Sequence, residues 1–425
     1  MEILTSYNLI IEASVIIILS FIFSEIAKRT NIPSVLMLIL LGVILKLVLD
    51  TFGFGAVDFF PVLEVLGIVG LIMIVLEAAL ELELKREKLV PITKAFVIAL
   101  IGLMASTYVA ALILHQFVPG MEMHAAWLYA TPLSILSSAI IIPSVSSLSE
   151  IKKEFHIYES TFSDIMGIML FYFLTGQLDG GEHSSGFAGF AGNLVLTIVI
   201  SLVASYVIIL IFQNIRSQTK LFLLISVLLL LYSLGKLMHL SSLIIILIFG
   251  LLIANMPLFF QGRIGKWLNL ERAKQIYEGL HVITMETAFV VRTFFFVVFG
   301  LTIVLSSLLS VNVAIVSGLI IASIYLIRFL ILRIFIGTDI IPQLFIAPRG
   351  LITILLFFAI PENAIVEGFE PGILLFIIIL TSLIMTFAMI FDKRRSSKAI
   401  RKAQSVPVGF TRWKAPSVVV EEEGD

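Results

Sequence analysis

The sequence predicts an all-α polytopic membrane protein of about thirteen transmembrane helices, and three observations predict it. Hydrophobic residues make up 60% of the 425 positions and charged residues only 13%, about half the charged share of a soluble domain. Apolar runs near 20 residues recur from end to end, each long enough to cross ~30 Å of hydrocarbon. The few Lys and Arg residues cluster in alternate gaps between those runs. No soluble domain fits between the runs. A net charge of −1 leaves no footprint for nucleic acid, so no partner of that kind is expected. The absence of cysteine excludes disulfides and thiolate metal sites.

Taken in order, the spans are read at 7–27, 33–49, 61–81, 92–114, 125–148, 158–178, 189–213, 219–237, 240–256, 281–305, 310–336, 342–361 and 371–392. The first lacks a basic leader region and a small-residue cleavage site, so it reads as a retained helix. The fifth, "LSILSSAIIIPS", places Ser134, Ser137, Ser138, Pro143 and Ser144 at membrane depth. A proline removes a helical hydrogen bond, and serines can satisfy the freed backbone, so a broken helix is expected there. The twelfth holds a similar interruption, "IAPRGLIT", with Pro348, Arg349 and Gly350. Breaks seven spans apart fit two inverted six-helix repeats, spans 1–6 and 8–13, with the seventh as linker. Between spans nine and ten, Pro257–Gly279 mixes Phe259, Phe260, Trp267 and Leu270 with four basic residues, which suits a separate interfacial helix.

Threading the chain through these spans puts 22 of the 28 Lys and Arg residues on one side. Positive residues stay cytoplasmic, so the N-terminus is expected outside and the C-terminus inside. A span miscounted by one would scramble that alternation. The transmembrane unit then covers 1–392. Residues 393–425 form a cytoplasmic tail, basic at first and ending in Glu421–Glu423, expected to be disordered with its basic part near anionic lipid.

Ionisable side chains inside spans cost about 2.5–3.5 kcal/mol each near the bilayer centre, so each calls for a functional explanation. Glu12, Glu25, Glu64, Glu81 and Arg333 lie near span ends, where snorkelling accounts for them. Asp164 lies inside the sixth span, in "YESTFSDIMGIMLFYFL", with Ser160 one helical turn earlier on the same face. A carboxylate with hydroxyls beside it suits a small hard cation, and a carboxylate taken out of water holds a proton more readily. One group able to hold either is enough for exchange; the bland alternative is an Asp permanently paired to an Arg. Arg349 could cap the carbonyl ends of a broken helix, or snorkel. Arg292 cannot shed a proton at accessible pH and would balance charge, with a passive pairing to Glu286 as the alternative.

With these residues in place, the chain resembles the monovalent cation/proton antiporter superfamily, the sodium/proton exchangers, over nearly all thirteen spans. "ESTFSD" (Glu159–Asp164) is similar to the exchangers' segment ending in Asn-Asp. "VLEAALELEL" (Val75–Leu84) resembles their third-span Glu motif, "VVRTFFFVVFGL" their Phe-rich tenth span, "IRFLILR" their eleventh and "APRGLITIL" their Arg-Gly motif. The resemblance implies Asp164 as the proton and Na⁺ carboxylate, with Ser160 and Glu77 as further oxygen ligands, and a structural ion pair between Glu159 and Arg328. It also implies a homodimer whose protomers each have a dimerisation part and a mobile core. Two departures stand out. Ser163 occupies the place of an Asn or second Asp, and Ser137-Ser138-Ala139 replaces a Thr-Asp-Pro-like motif, with Ser134 as the alternative register.

The function expected is electroneutral exchange of Na⁺, or else K⁺ or Li⁺, for H⁺ in a bacterial-type inner membrane. The ions are substrates; no cofactor is expected. A cation channel on the same fold is the alternative raised by the missing acid of the Thr-Asp-Pro-like motif. An embedded enzyme is disfavoured, because the six histidines form no HExxH pair.

Overall fold

A computed structural model describes residues 6–30, 33–51, 60–82, 84, 86–145, 148–176, 186–215, 220–237, 242–259, 269–302 and 310–405. Every regular element among them is helical. The helices are α1 (Ser6–Thr30), α2 (Ser34–Thr51), α3 (Phe60–Glu81), α4 (Leu89–Phe117), α5 (Met123–Ser134), α6 (Ser138–Ser144), α7 (Glu150–Gly176), α8 (Gly186–Phe212), α9 (Lys220–Leu237), α10 (Ser242–Ala254), α11 (Met256–Phe259), α12 (Leu270–Thr302), α13 (Val311–Phe335), α14 (Leu351–Phe358) and α15 (Gly372–Ser405). Hydrocarbon leaves a backbone no partner but itself, so an apolar chain of this kind closes its hydrogen bonds within helices. Among the described residues six stretches are long and apolar enough to cross a membrane, including Leu89–Phe117, Val311–Phe335 and Gly372–Asp392, and four shorter helices are apolar too.

The helices pack in two groups. Around α12 lie α2 and α3, with α10 against α3 and α8 and α9 against α10; around α4 lie α5, α7 and α13, with α15 against α13 and α14 against α5. The groups meet where α3 touches α7 and α14, and where α10 touches α7. In the first group α2 and α12 are almost in backbone contact. A Cβ on Gly42 would stand 2.2 Å from the Val297 carbonyl oxygen, and one on Gly300 2.5 Å from that of Ile39. Small residues of this kind let membrane helices approach closely. Gly42→Ala or Gly300→Ala is therefore expected to cost about 1–3 kcal/mol by overpacking, read as a lower unfolding midpoint in detergent. Gly318→Ala on α13, where a Cβ meets nothing within 4 Å, is the control and should not lower it.

Three features differ from the sequence expectations. The stretch read as an interfacial helix is not a separate one in its second half, because α12 already begins at Leu270 and runs unbroken to Thr302; residues 260–268 lie outside the described residues. Turn after turn, Ala273, Ile276 and Leu280 are buried, and this apolar stripe carries the helix below the apolar run. The last helix continues through the basic residues to Ser405, past the expected boundary at Asp392; residues 406–425 lie outside the described residues. The twelfth span is not a helix with a central break. Its first half is irregular, a short 3-10 turn at Gln343–Phe345 and then non-helical chain, and only Leu351–Phe358 is α-helical.

Candidate functional site

Two non-helical stretches cross inside the second group. Residues 135–137 separate α5 from α6, with Ile135 and Ser137 in extended conformation. Residues 346–350 precede α14. They are joined by the Ser137 N–H donating to the Pro348 carbonyl at 3.0 Å. Gly350 lies so close to this join that a Cβ there would stand 2.4 Å from Ser137 Oγ. Backbone freed from helices at this depth needs other partners, and side chains supply them. Arg349 Nε donates to the Leu133 carbonyl at the end of α5 at 2.8 Å, and the Arg349 N–H donates to Thr381 Oγ1 at 3.1 Å. Arg328 Nε and Nη2 donate to the Gln343 carbonyl at 3.1 and 3.0 Å.

Helix α7 presses on this crossing. Gly167 permits it, since a Cβ there would lie 2.3 Å from the Ile135 side chain. One turn before Gly167, Ser163 Oγ accepts the Leu136 N–H at 3.0 Å and Asp164 Oδ2 accepts the Ser138 N–H at 3.3 Å. Asp164 is only 2% exposed. Its Oδ1 is buried with no hydrogen-bond partner, and among the described residues no Lys or Arg pairs with either oxygen. The side chain lines a cavity of about 20 Å³ with Ile74, Val75, Ile168, Leu243 and Ile352, room for roughly one water. That cavity lies between α7 and α14 of one group and α3 and α10 of the other.

The arginines are committed elsewhere. Arg328 meets Glu159 in a two-pronged pair, Nη1–Oε1 at 2.7 Å and Nη2–Oε2 at 2.9 Å. His156, wholly buried one turn earlier, has Nδ1 3.2 Å from Glu159 Oε2. Arg292 pairs with Glu77 at 2.8 Å, not with Glu286, and reaches the Ala139 carbonyl at 3.3 Å. A second cavity, of about 30 Å³, is lined by Ser106, Ser134, Glu159, Ser163, Arg328 and Arg349 among others.

The structure thus brings Asp164, Ser163, Ser137 and Ser138 together at the crossing and sets Glu77 across from them beside Arg292. Ser160 is buried, but its hydroxyl donates to the His156 carbonyl of its own helix at 2.7 Å. Ser134, the last residue of α5, does the same towards Ala130 at 2.9 Å, and the non-helical stretch 135–137 follows it directly. Sequence reasoning missed Gly167, Thr381 and the Gln343 carbonyl. Only Gly167 left a signal, a glycine one turn from the key acid. Among the described residues no three His, Asp or Glu side chains converge to hold a metal ion. A cation at Asp164 would complete its oxygen shell from hydroxyls, backbone carbonyls and water.

Comparison with known proteins supplies the remaining observations. The transmembrane sodium/hydrogen exchanger family matches residues 15–393. Two solved structures of the sodium proton antiporter MjNhaP1 from Methanocaldococcus jannaschii resemble this fold. One, at pH 8, is 21% identical with a TM-score of 0.65, covering 92% of this chain and 99% of that one. The other, from an electron-microscopy map, is 20% identical with a TM-score of 0.62, covering 97% and 100%. No curated protein sequence matches the chain.

Proposed function

The chain belongs to the transmembrane sodium/hydrogen exchanger family, and from that premise we infer that it exchanges Na⁺ for H⁺ at Asp164 without moving net charge. It is an integral membrane transporter of cations and protons. The observation that carries the finer reading is the state of Asp164: a buried carboxylate with one oxygen on the Ser138 N–H, the other unpartnered, and no arginine beside it.

The chemistry follows from charge. A bare carboxylate surrounded by Ile and Val is costly. Either a proton or one monovalent cation removes that cost, and each leaves the site neutral. A carrier that reorients only when neutral therefore couples one cation to one proton and carries no current. Arg328, Arg349 and Arg292 keep their charge throughout and drop out of the count. Ser163 and Ser137 hold the crossing in place around the carboxylate, and Ser138 supplies the hydrogen bond to it. The two packing groups, meeting at the Asp164 cavity, suit alternating access in which α4–α7 and α13–α15 shift against α2, α3, α10 and α12. The paired breaks support two inverted six-helix repeats within thirteen spans. The remaining assignments are a homodimer in a bacterial-type plasma membrane, with the N-terminus outside and the basic end of α15 in the cytoplasm.

The test is a pH-dye measurement in proteoliposomes, with Na⁺, K⁺ and Li⁺ added separately and the membrane potential clamped at several values. Na⁺-driven proton movement that is indifferent to voltage is expected. A rate that follows voltage would overturn electroneutrality, and ohmic currents without proton countermovement would make the protein a channel.

A further inference from the structure

Pro143 lies four residues after Ala139 in α6, so the N–H that would close the helical hydrogen bond onto the Ala139 carbonyl does not exist. That carbonyl is met from another helix. Arg292 Nη1, on α12, donates to it at 3.3 Å while Nη2 holds Glu77 of α3 at 2.8 Å. Arg292 Nε is buried without a partner, so the two terminal nitrogens carry the polar contacts of the side chain. Ala139 directly follows Ser138, whose N–H bonds Asp164 Oδ2. Glu77, Ser138, Ala139, Pro143 and Arg292 line one cavity of about 40 Å³. The guanidinium ties the first turn of α6 to two helices of the opposite packing group.

We propose that Arg292 is a positioning residue for Asp164: by gripping the carbonyl that Pro143 leaves open, it fixes the first turn of α6 and with it the Ser138 N–H on the carboxylate. This rests on Asp164 as the exchanging group and deepens that reading, since it gives Arg292 work beyond balancing charge and gives the proline a purpose. An open carbonyl and a two-armed cation from a neighbouring helix form a joint that ties α6 to α3 and α12, which a hydrogen bond within α6 would not do. Lysine cannot replace it well, because one ammonium lacks the planar fork that spans Glu77 and Ala139 together.

The experiment compares the full-length wild type with Arg292→Gln, Pro143→Ala, the double variant of these, and Arg292→Gln combined with Glu77→Gln. Two quantities are read: the KM for Na⁺ in proteoliposomes, and amide hydrogen exchange across α6. Arg292→Gln should raise KM about tenfold, the scale of one lost charge-assisted hydrogen bond, with maximal rate little changed, and should speed amide exchange in α6. Adding Pro143→Ala supplies the missing N–H to Ala139 and should return both quantities towards wild type. Adding Glu77→Gln restores charge balance but no partner for the carbonyl, and should rescue neither. Rescue by Glu77→Gln and not by Pro143→Ala would overturn the proposal, leaving Arg292 as a counter-charge only. A wild type that exchanges no cation would sink the exchange reading instead, and the amide-exchange comparison would still decide the joint.

Discussion

Asp164→Asn is expected to abolish cation-driven proton movement, lowering the exchange rate at least about 100-fold in proteoliposomes, or more than about 2.7 kcal/mol of barrier. Asparagine keeps the size of the side chain and an oxygen for the Ser138 N–H, so the fold should survive and the loss should be one of chemistry. A neutral amide neither releases a proton nor attracts a cation into the apolar cavity between Ile74, Ile168 and Ile352. The same single carboxylate gives the pH behaviour its sign. Protons and Na⁺ compete for it, so acidifying the medium should raise the apparent KM for Na⁺ and leave the maximal rate intact. An Asp164→Asn protein that exchanges normally, or a KM that falls on acidification, would remove Asp164 from the mechanism.

Breaking the Glu159–Arg328 pair should cost stability instead of chemistry. Glu159 is 1% exposed and Arg328 8%, and removing one member of such a pair strands a buried charge at about 3–5 kcal/mol. The two sides are not equivalent. Glu159→Ala leaves Arg328 still bonded to the Gln343 carbonyl, whereas Arg328→Ala leaves the carboxylate only His156 beside it and that carbonyl only the Ile346 N–H at 3.3 Å. Each lost hydrogen bond from a charged group is worth about 1.5–3 kcal/mol, so Arg328→Ala, which removes bonds to both Glu159 and Gln343, should be the more damaging variant. Thermal unfolding of the detergent-solubilised protein reads the order directly. Equal midpoints for the two variants would mean that the Ile346 N–H satisfies the Gln343 carbonyl without the guanidinium.

The positions of the helices were legible because hydrocarbon forces every apolar run to satisfy its own backbone, and the candidate acid was legible because charges inside such runs are rare. The break in the fifth span, at residues 135–137, was legible for a related reason, the proline and serines beside it. Partnerships were harder. Glu159–Arg328 came only through a family resemblance, and for Arg292 the one side-chain partner considered, as an alternative to a charge-balancing role, was Glu286 on its own helix, whereas it pairs with Glu77. In the twelfth span the interruption at Pro348, Arg349 and Gly350 was legible but the irregular chain before it was not, because its apolar residues fill a helical window equally well. What makes it irregular is a set of donors from elsewhere, Arg328 to Gln343 and Ser137 to Pro348, which no local pattern encodes.

By itself, then, the chain's order of residues determined a helical membrane protein with one exceptional acid in its sixth span and helix breaks in its fifth and twelfth. Those properties depend on neighbours within a few residues and on the solvent, both of which a sequence displays. Tertiary structure alone decided which charges cancel, that Asp164 stays free of them, and that Arg292 grips the carbonyl exposed by Pro143. Glu159 lies 169 residues from Arg328 and Glu77 lies 215 from Arg292, so their meeting is fixed by how helices pack, a cooperative outcome of the whole core.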